Sequence, residues 1–168
     1  MNPARTFHSW PLVTVSLFLS SALAAEDGAN FRYKAIESAK FEGQSLIAAD
    51  FSYSSVSDSN FDKAIMRKAI LRYTVATSAK FSGADLQGAL LRYSVLADAS
   101  FKWADCRGTN FSHTVLADAD FTGADLRGAY LENAVLASAK FDGSTIYDAQ
   151  TKFPSGFDPI TKGLTLRE

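Results

Sequence analysis

Phenylalanine stands at Phe41, Phe61, Phe81, Phe101, Phe121 and Phe141, twenty residues apart each time with no insertion or deletion between them. A strict period of that length means one short unit wound repeatedly about one axis, each turn covering the apolar edge of the next. A finer period lies inside it. From Phe31 to Ile146 every fifth residue is apolar, which gives twenty-four units in one register. Two residues before each of these centres stands Ala, Ser or Thr, except for Lys34 and Gln44 in the first turn.

A period of five suits neither regular element. Residues five apart on an α-helix are rotated by about 140°, which smears an apolar stripe round the surface. On a flat strand an odd period alternates faces. The chain must therefore bend once per unit. The small site and the centre, two apart, both point inward, and the bend falls on the remaining residues. Those are rich in turn formers: Gly43, Gly83, Gly88, Gly108, Gly123, Gly128 and Gly143, with Asp58, Asp98, Asp118 and Asp148. Four five-residue sides make one twenty-residue coil. Side chemistry supports four, because the column containing Phe41 is all Phe while those containing Ile36 and Leu46 have none. Six coils at the inter-strand spacing of about 4.8 Å would give a rod of about 29 Å.

The units Ala84-Asp85-Leu86-Gln87-Gly88, Ala104-Asp105-Cys106-Arg107-Gly108 and Ala124-Asp125-Leu126-Arg127-Gly128 carry the pattern A-(D/N)-L-x-x. The stretch from about residue 29 to 150 resembles the pentapeptide-repeat family. The resemblance implies an all-β fold, a right-handed quadrilateral parallel β-helix of about six coils; the spacing itself gives four sides but not the hand. Many units here have Lys, Ser or Val where that family has Asp or Asn.

The ends differ from the repeats. Arg5, the apolar run from Pro11 to Ser21 and the small residues around Ala22 and Ala24 read as a secretory signal peptide over 1–25, cleaved after about Ala24 or Ala25. The run is short for a membrane span and contains Thr and Ser. The β-helix is expected over 26–150, and an irregular cap over 151–168, with Phe153 and Phe157 covering the last coil. No comparable cap is evident before Phe31, so a homodimer through the first coil is one expectation, and closure of that coil by Lys34 and Gln44 is another. An exported protein could reside in a bacterial periplasm, a thylakoid lumen or the medium.

Charge and composition exclude several classes. Removing residues 1–25 takes away Arg5 and leaves a net charge of about −2, which is not a nucleic-acid binder's balance. The single cysteine, Cys106, sits at an inward centre and reads as a small buried apolar residue. There is no Cys/His metal spacing, no glycine-rich phosphate loop and no Gly-x-Ser-x-Gly elbow. No cofactor, metal or enzymatic activity is expected. The one constellation to weigh is His113 with Asp98 and Asp118, brought near one another by the coil register.

The outer faces are more informative. The Ile36 side shows Val75, Val95, Val115 and Val135 just before its centres, with Tyr73 and Tyr93 at the adjoining corner and Ile70, Leu90 and Tyr130 on the preceding side. Together Tyr73, Val75, Leu90, Tyr93, Val95, Val115, Tyr130 and Val135 form the candidate interaction surface, since contiguous apolar patches mark contacts. The Phe41 side mixes Lys and Asp and reads as a solvated face. On the Leu46 side, Arg67, Arg107 and Arg127 stand near Asp85, Asp105 and Asp125, where cross-strand pairing is expected. The expected role is a non-enzymatic exported scaffold for a protein partner. The alternative implied by the resemblance is a DNA mimic that binds a type II topoisomerase and protects it from quinolones, which requires a strongly acidic face.

Overall fold

The computed structural model describes residues 27–168. The chain winds as a right-handed quadrilateral parallel β-helix, and the register is the one the sequence imposes. Each residue just before a centre pairs in parallel with the residue twenty positions on, from Asn30↔Asp50 through Val75↔Val95 to Asp120↔Lys140. Each side from the one centred on Phe31 to the one centred on Leu116 makes three backbone bonds with the next coil. On the Phe61 side these are Phe61 N–H to Lys80 O at 2.7 Å, Lys63 N–H to Ser82 O at 2.9 Å, and Lys80 N–H to Ser59 O at 2.9 Å. Pairing is so short on each side that named strands occur only at the end: β1 (Ile146–Tyr147) and β2 (Thr165–Leu166).

The bend falls two residues after each centre. Every such residue from Tyr33 to Ser138 has φ between 55° and 72°. In most units the N–H one residue further on donates to the centre's carbonyl, as Ala64 does to Phe61 at 3.0 Å. A positive φ at the third position of a bonded four-residue turn is what a type II turn requires. Most of these positions are not glycine, so the closed coil overrides a local preference of about 1–2 kcal/mol per residue. The hydroxylic small sites answer a second need. Thr74 Oγ1 donates to Phe51 O at 2.8 Å, Thr114 Oγ1 to Leu91 O at 3.1 Å, Thr109 Oγ1 to Leu86 O at 2.7 Å, and Ser94 Oγ donates to Leu71 O. Each hydroxyl thereby finds a buried acceptor, which at Phe51 and Leu86 already receives the turn N–H.

The core is the stack the spacing predicts. Phe41, Phe61, Phe81, Phe101 and Phe121 are buried, with successive rings parallel and 4.9–5.1 Å apart. Rings of the neighbouring wall meet them edge-on, as Phe51 meets Phe61 at 5.6 Å and 90°. Ala at the small sites leaves room for these rings, so the narrow interior is filled. Cys106 is fully buried, and burial pushes its thiol pKa well up, reinforced by the charges of Asp105 and Asp125.

The strict period ends at Lys140, within the 26–150 stretch expected to be regular. Asp125 pairs with Ile146 and Tyr130 with Lys152, so each of the last two sides holds an extra residue. Ile146 is therefore a ladder position and not the inward centre the five-residue count makes it; Thr145 and Tyr147 are the buried pair. The cause is local. Asp142 Oδ1 accepts from the N–H groups of Ser144 and Thr145, and Asp148 Oδ1 from those of Gln150 and Thr151, which makes wider Asx turns at both corners. Gly143 accordingly lacks the positive φ of its column. The same carboxylates replace the missing ladder carbonyls, accepting from Gly123 N–H at 3.3 Å and Gly128 N–H at 2.9 Å.

Beyond this point the chain packs against the end of the coil. Phe157 meets Phe141 edge-on at 5.5 Å and stacks on Phe153 at 4.9 Å, Leu164 is buried, and β2 pairs in parallel with β1. At the other end Gln44 Nε2 donates to Lys40 O at 3.1 Å, capping an edge carbonyl, whereas Lys34 is exposed. The signal peptide expected over 1–25 lies outside the described residues.

Candidate functional site

The corner between the Phe31 wall and the Ile36 wall carries an exposed aromatic ladder. Tyr33, Tyr53, Tyr73 and Tyr93 occupy the left-handed turn position of successive coils, which projects each ring outward. Their rings stack at 5.2, 5.0 and 5.1 Å, and His113 continues the stack on Tyr93 at 4.8 Å. Two residues past each turn the chain enters the Ile36 wall, where Val75, Val95, Val115 and Val135 pair directly across coils. Val75, Val95 and Val135 are exposed and Val115 is half-buried.

The eight candidate residues do not form one patch. Tyr73, Tyr93, Val75, Val95 and Leu90 converge on the third and fourth coils, with Ile70 beside Leu90. Val115 and Val135 extend this surface along the Ile36 wall. Tyr130 stands apart, because Asn110 separates it from Leu90 in the ladder Leu90–Asn110–Tyr130.

Arg72 and Arg92 border the converged patch, and the Arg92 guanidinium lies 4.8 Å from the Tyr93 ring centre with its Nη2 donating to Tyr93 Oη at 3.0 Å. Other coil arginines are ion-paired: Arg32 with Asp50 at 3.0 Å, Arg67 with Asp85 at 2.6 Å, Arg107 with Asp105 at 2.6 Å and Arg127 with Asp125 at 2.6 Å. Among the described residues Arg72 and Arg92 have no acidic partner, and their buried Nε atoms have no hydrogen-bond partner.

The Asp column of the Leu46 wall is thus neutralised by its arginines, but only Arg67 makes its short contact across coils as expected, to Asp85; Arg107 and Arg127 bond Asp105 and Asp125 two residues back in their own coil, and Arg107 reaches Asp125 of the next coil only at 3.8 Å. Partial burial works to raise the Asp105 pKa, yet the hydrogen bonds and charge of Arg107 outweigh it and hold the carboxyl below its ordinary value. Lys102 pairs with Asp120 at 3.2 Å on the Phe41 wall. His113 belongs to the tyrosine corner, whereas Asp98 and Asp118 occupy the next corner, across the width of the Ile36 wall. The register does not gather them into one site, and no group of three or more His, Cys, Asp or Glu suited to a metal occurs among the described residues.

One exposed aromatic escaped the sequence reading. Trp103 occupies the left-handed turn position at the corner between the Phe41 and Leu46 walls, diagonally opposite the tyrosines, and is 64% exposed. Its indole lies over Gly123, where an added Cβ would meet three ring atoms at 2.2–2.5 Å. The signal was present as a column reading Gly43, Lys63, Gly83, Trp103, Gly123, where Trp103 is the one aromatic residue.

Comparison with known proteins places this geometry. The sequence profile of pentapeptide repeats matches in eight copies, over residues 45–88, 79–118, 94–133 and 115–150. Among solved structures, a pentapeptide repeat protein from the Arabidopsis thaliana thylakoid lumen is 29% identical, with 70% of this chain and 66% of that one covered and a TM-score of 0.48. HetL, a pentapeptide repeat protein involved in heterocyst differentiation regulation in Nostoc sp. strain PCC 7120, is 22% identical, covering 73% and 70% with a TM-score of 0.41. QnrB1, a plasmid-mediated fluoroquinolone resistance protein, is 17% identical, covering 84% and 91% with a TM-score of 0.39. No curated protein sequence matches.

Proposed function

Because this chain belongs to the pentapeptide-repeat family, we propose that it is a non-enzymatic scaffold that binds a protein partner through the tyrosine–valine corner of its third and fourth coils. The observation that carries this reading is the convergence there of Tyr73, Tyr93, Val75, Val95, Ile70 and Leu90 on a rigid, flat, register-locked surface. Tyr and Arg anchors beside aliphatic residues, with Lys and Glu absent, match the composition of interface centres. Among the described residues the interior of the tube is occupied by its own side chains, whereas small-substrate sites are open concave pockets. The topoisomerase-binding alternative calls for a continuous acidic face, and the one long Asp column is paired with arginine.

The partner is met outside the cytoplasm on this reading, since residues 1–25 have the composition of a secretory signal. No helix among the described residues is long and apolar enough to cross a membrane. N-terminal sequencing of the protein purified from its native host checks the export reading; a chain starting at Glu26 or Ala25 supports it.

The contact is tested with Val95→Asp and Val115→Asp in the tagged full-length chain. Val95 is exposed and Val115 half-buried on an outward ladder, so the coil should fold, as a thermal melt verifies. Proteins captured by the wild type should be lost from both variants. Capture that survives both changes would remove the contact assignment.

A further inference from the structure

We propose that the partner presents a carboxylate side chain, flanked by apolar residues, to the guanidinium pair of Arg72 and Arg92; this rests on the interaction surface assigned above. The argument begins with how the other coil arginines are neutralised. Each takes its acid from the ladder position, either two residues back, as in Arg107–Asp105 and Arg127–Asp125, or eighteen residues on, as in Arg32–Asp50 and Arg67–Asp85. For Arg72 those two positions are Ile70 and Leu90. For Arg92 they are Leu90 and Asn110. The positions that hold acids beside the other arginines are here Ile70, Leu90 and the uncharged Asn110, while the cations are present.

The replacement leaves two like charges one coil apart, where the neighbouring Tyr73 and Tyr93 rings are 5.1 Å from each other. Their buried Nε atoms lack a hydrogen-bond partner, which is costly for a charged group. Arg92 is oriented by Tyr93 Oη and held against its ring, so its fork is preorganised. An unpaired pair of forks bordered by Ile70, Leu90, Val75 and Val95 is complementary to a carboxylate in an apolar setting. Planar guanidinium groups bind carboxylates in bidentate fashion, and the surrounding apolar residues exclude water from the contact.

The test follows the arginine Nε–H signals of the 15N-labelled full chain by NMR. The probes are acetyl-Leu-Glu-Leu-amide, its counterpart acetyl-Leu-Gln-Leu-amide, and inorganic phosphate. The Glu peptide should shift the Arg72 and Arg92 signals saturably and leave those of Arg107 and Arg127 in place. The Gln peptide should bind at least about tenfold more weakly, the worth of a charge-assisted hydrogen bond. Leu90→Asp, which restores an internal acid within reach of both arginines, should abolish the response while the coil stays folded. Absence of a saturable shift, equal binding of the Gln peptide, equal displacement by phosphate, or an unchanged response in Leu90→Asp would each overturn the proposal. The two readings fail separately. Loss of capture in Val95→Asp with no response to the Glu peptide would refute only the carboxylate; a Glu response with capture intact would refute only the wider contact.

Discussion

Gly123→Ala probes the place where the Trp103 indole is laid over the backbone of the next coil. Two costs are expected. The first is a Cβ at φ 72°, worth about 1–2 kcal/mol for a left-handed residue. The second is displacement of the Trp103 indole, since the new Cβ would lie 2.2 Å from the nearest ring atom. Trp103 is 64% exposed. Roughly a third of the approximately 250 Å² of a tryptophan is therefore covered, on the order of 80 Å². At about 25 cal/mol per Å² its release costs up to about 2 kcal/mol. The repeat supplies its own control. Gly108 has φ 63° but nothing within 4 Å of an added Cβ, so Gly108→Ala carries the first cost alone. Urea unfolding should thus place Gly123→Ala about 2 kcal/mol below Gly108→Ala, and Trp103→Ala should erase the difference in a double-mutant cycle. In a chain carrying Trp10→Phe, which leaves Trp103 as the sole indole, acrylamide quenching should rise in Gly123→Ala. Equal stabilities for the two glycine variants together with unchanged quenching would refute the reasoning.

Two further outcomes are expected. Phe81→Ala opens a void between rings at 5.0 and 5.1 Å in a sealed wall and should cost about 3–5 kcal/mol by urea unfolding, whereas Phe141→Ala, at the half-buried end of the same column, should cost clearly less. Burial works to raise Asp50, Asp105, Asp120 and Asp148, but hydrogen bonds and cations at the first three, and hydrogen bonds alone at Asp148, outweigh it and hold them below the ordinary carboxylate value; Asp142 is lowered chiefly because Ser144 donates to it. A lowered folded pKa stabilises above the unfolded value of about 3.9, and the gain is lost as pH falls through the folded values. The melting temperature should therefore be nearly flat from about pH 5 to 8 and drop below about pH 4; a flat profile down to about pH 2.5 would contradict this.

The fold was legible because each unit is bonded to the unit twenty positions on, so inward and outward sites repeat at fixed spacing. The wall of phenylalanines, the buried Cys106, the tyrosine ladder and the Val75–Val95–Val115–Val135 stripe all follow from counting. The count failed at Asp142 and Asp148. There an apolar residue at the fifth position, Ile146, mimics a centre, while an Asx turn inserts one residue. Hydrophobic spacing cannot register that choice, because it is made by hydrogen bonds that one carboxylate accepts from three N–H groups, one of them in the preceding coil.

By itself, the sequence determined the number of sides, the register and the content of the core, since these rest on side-chain size at periodic positions. Only the tertiary structure decided what the outward residues do to one another. It set the tyrosine–valine patch on the third and fourth coils apart from Tyr130, placed His113 a full side away from Asp118, laid Trp103 on Gly123 and left Arg72 and Arg92 unpaired where other coil arginines have an acid. Those outcomes depend on which rotamer reaches across a gap of about 5 Å between coils, and each outward position has two coil neighbours from which to choose.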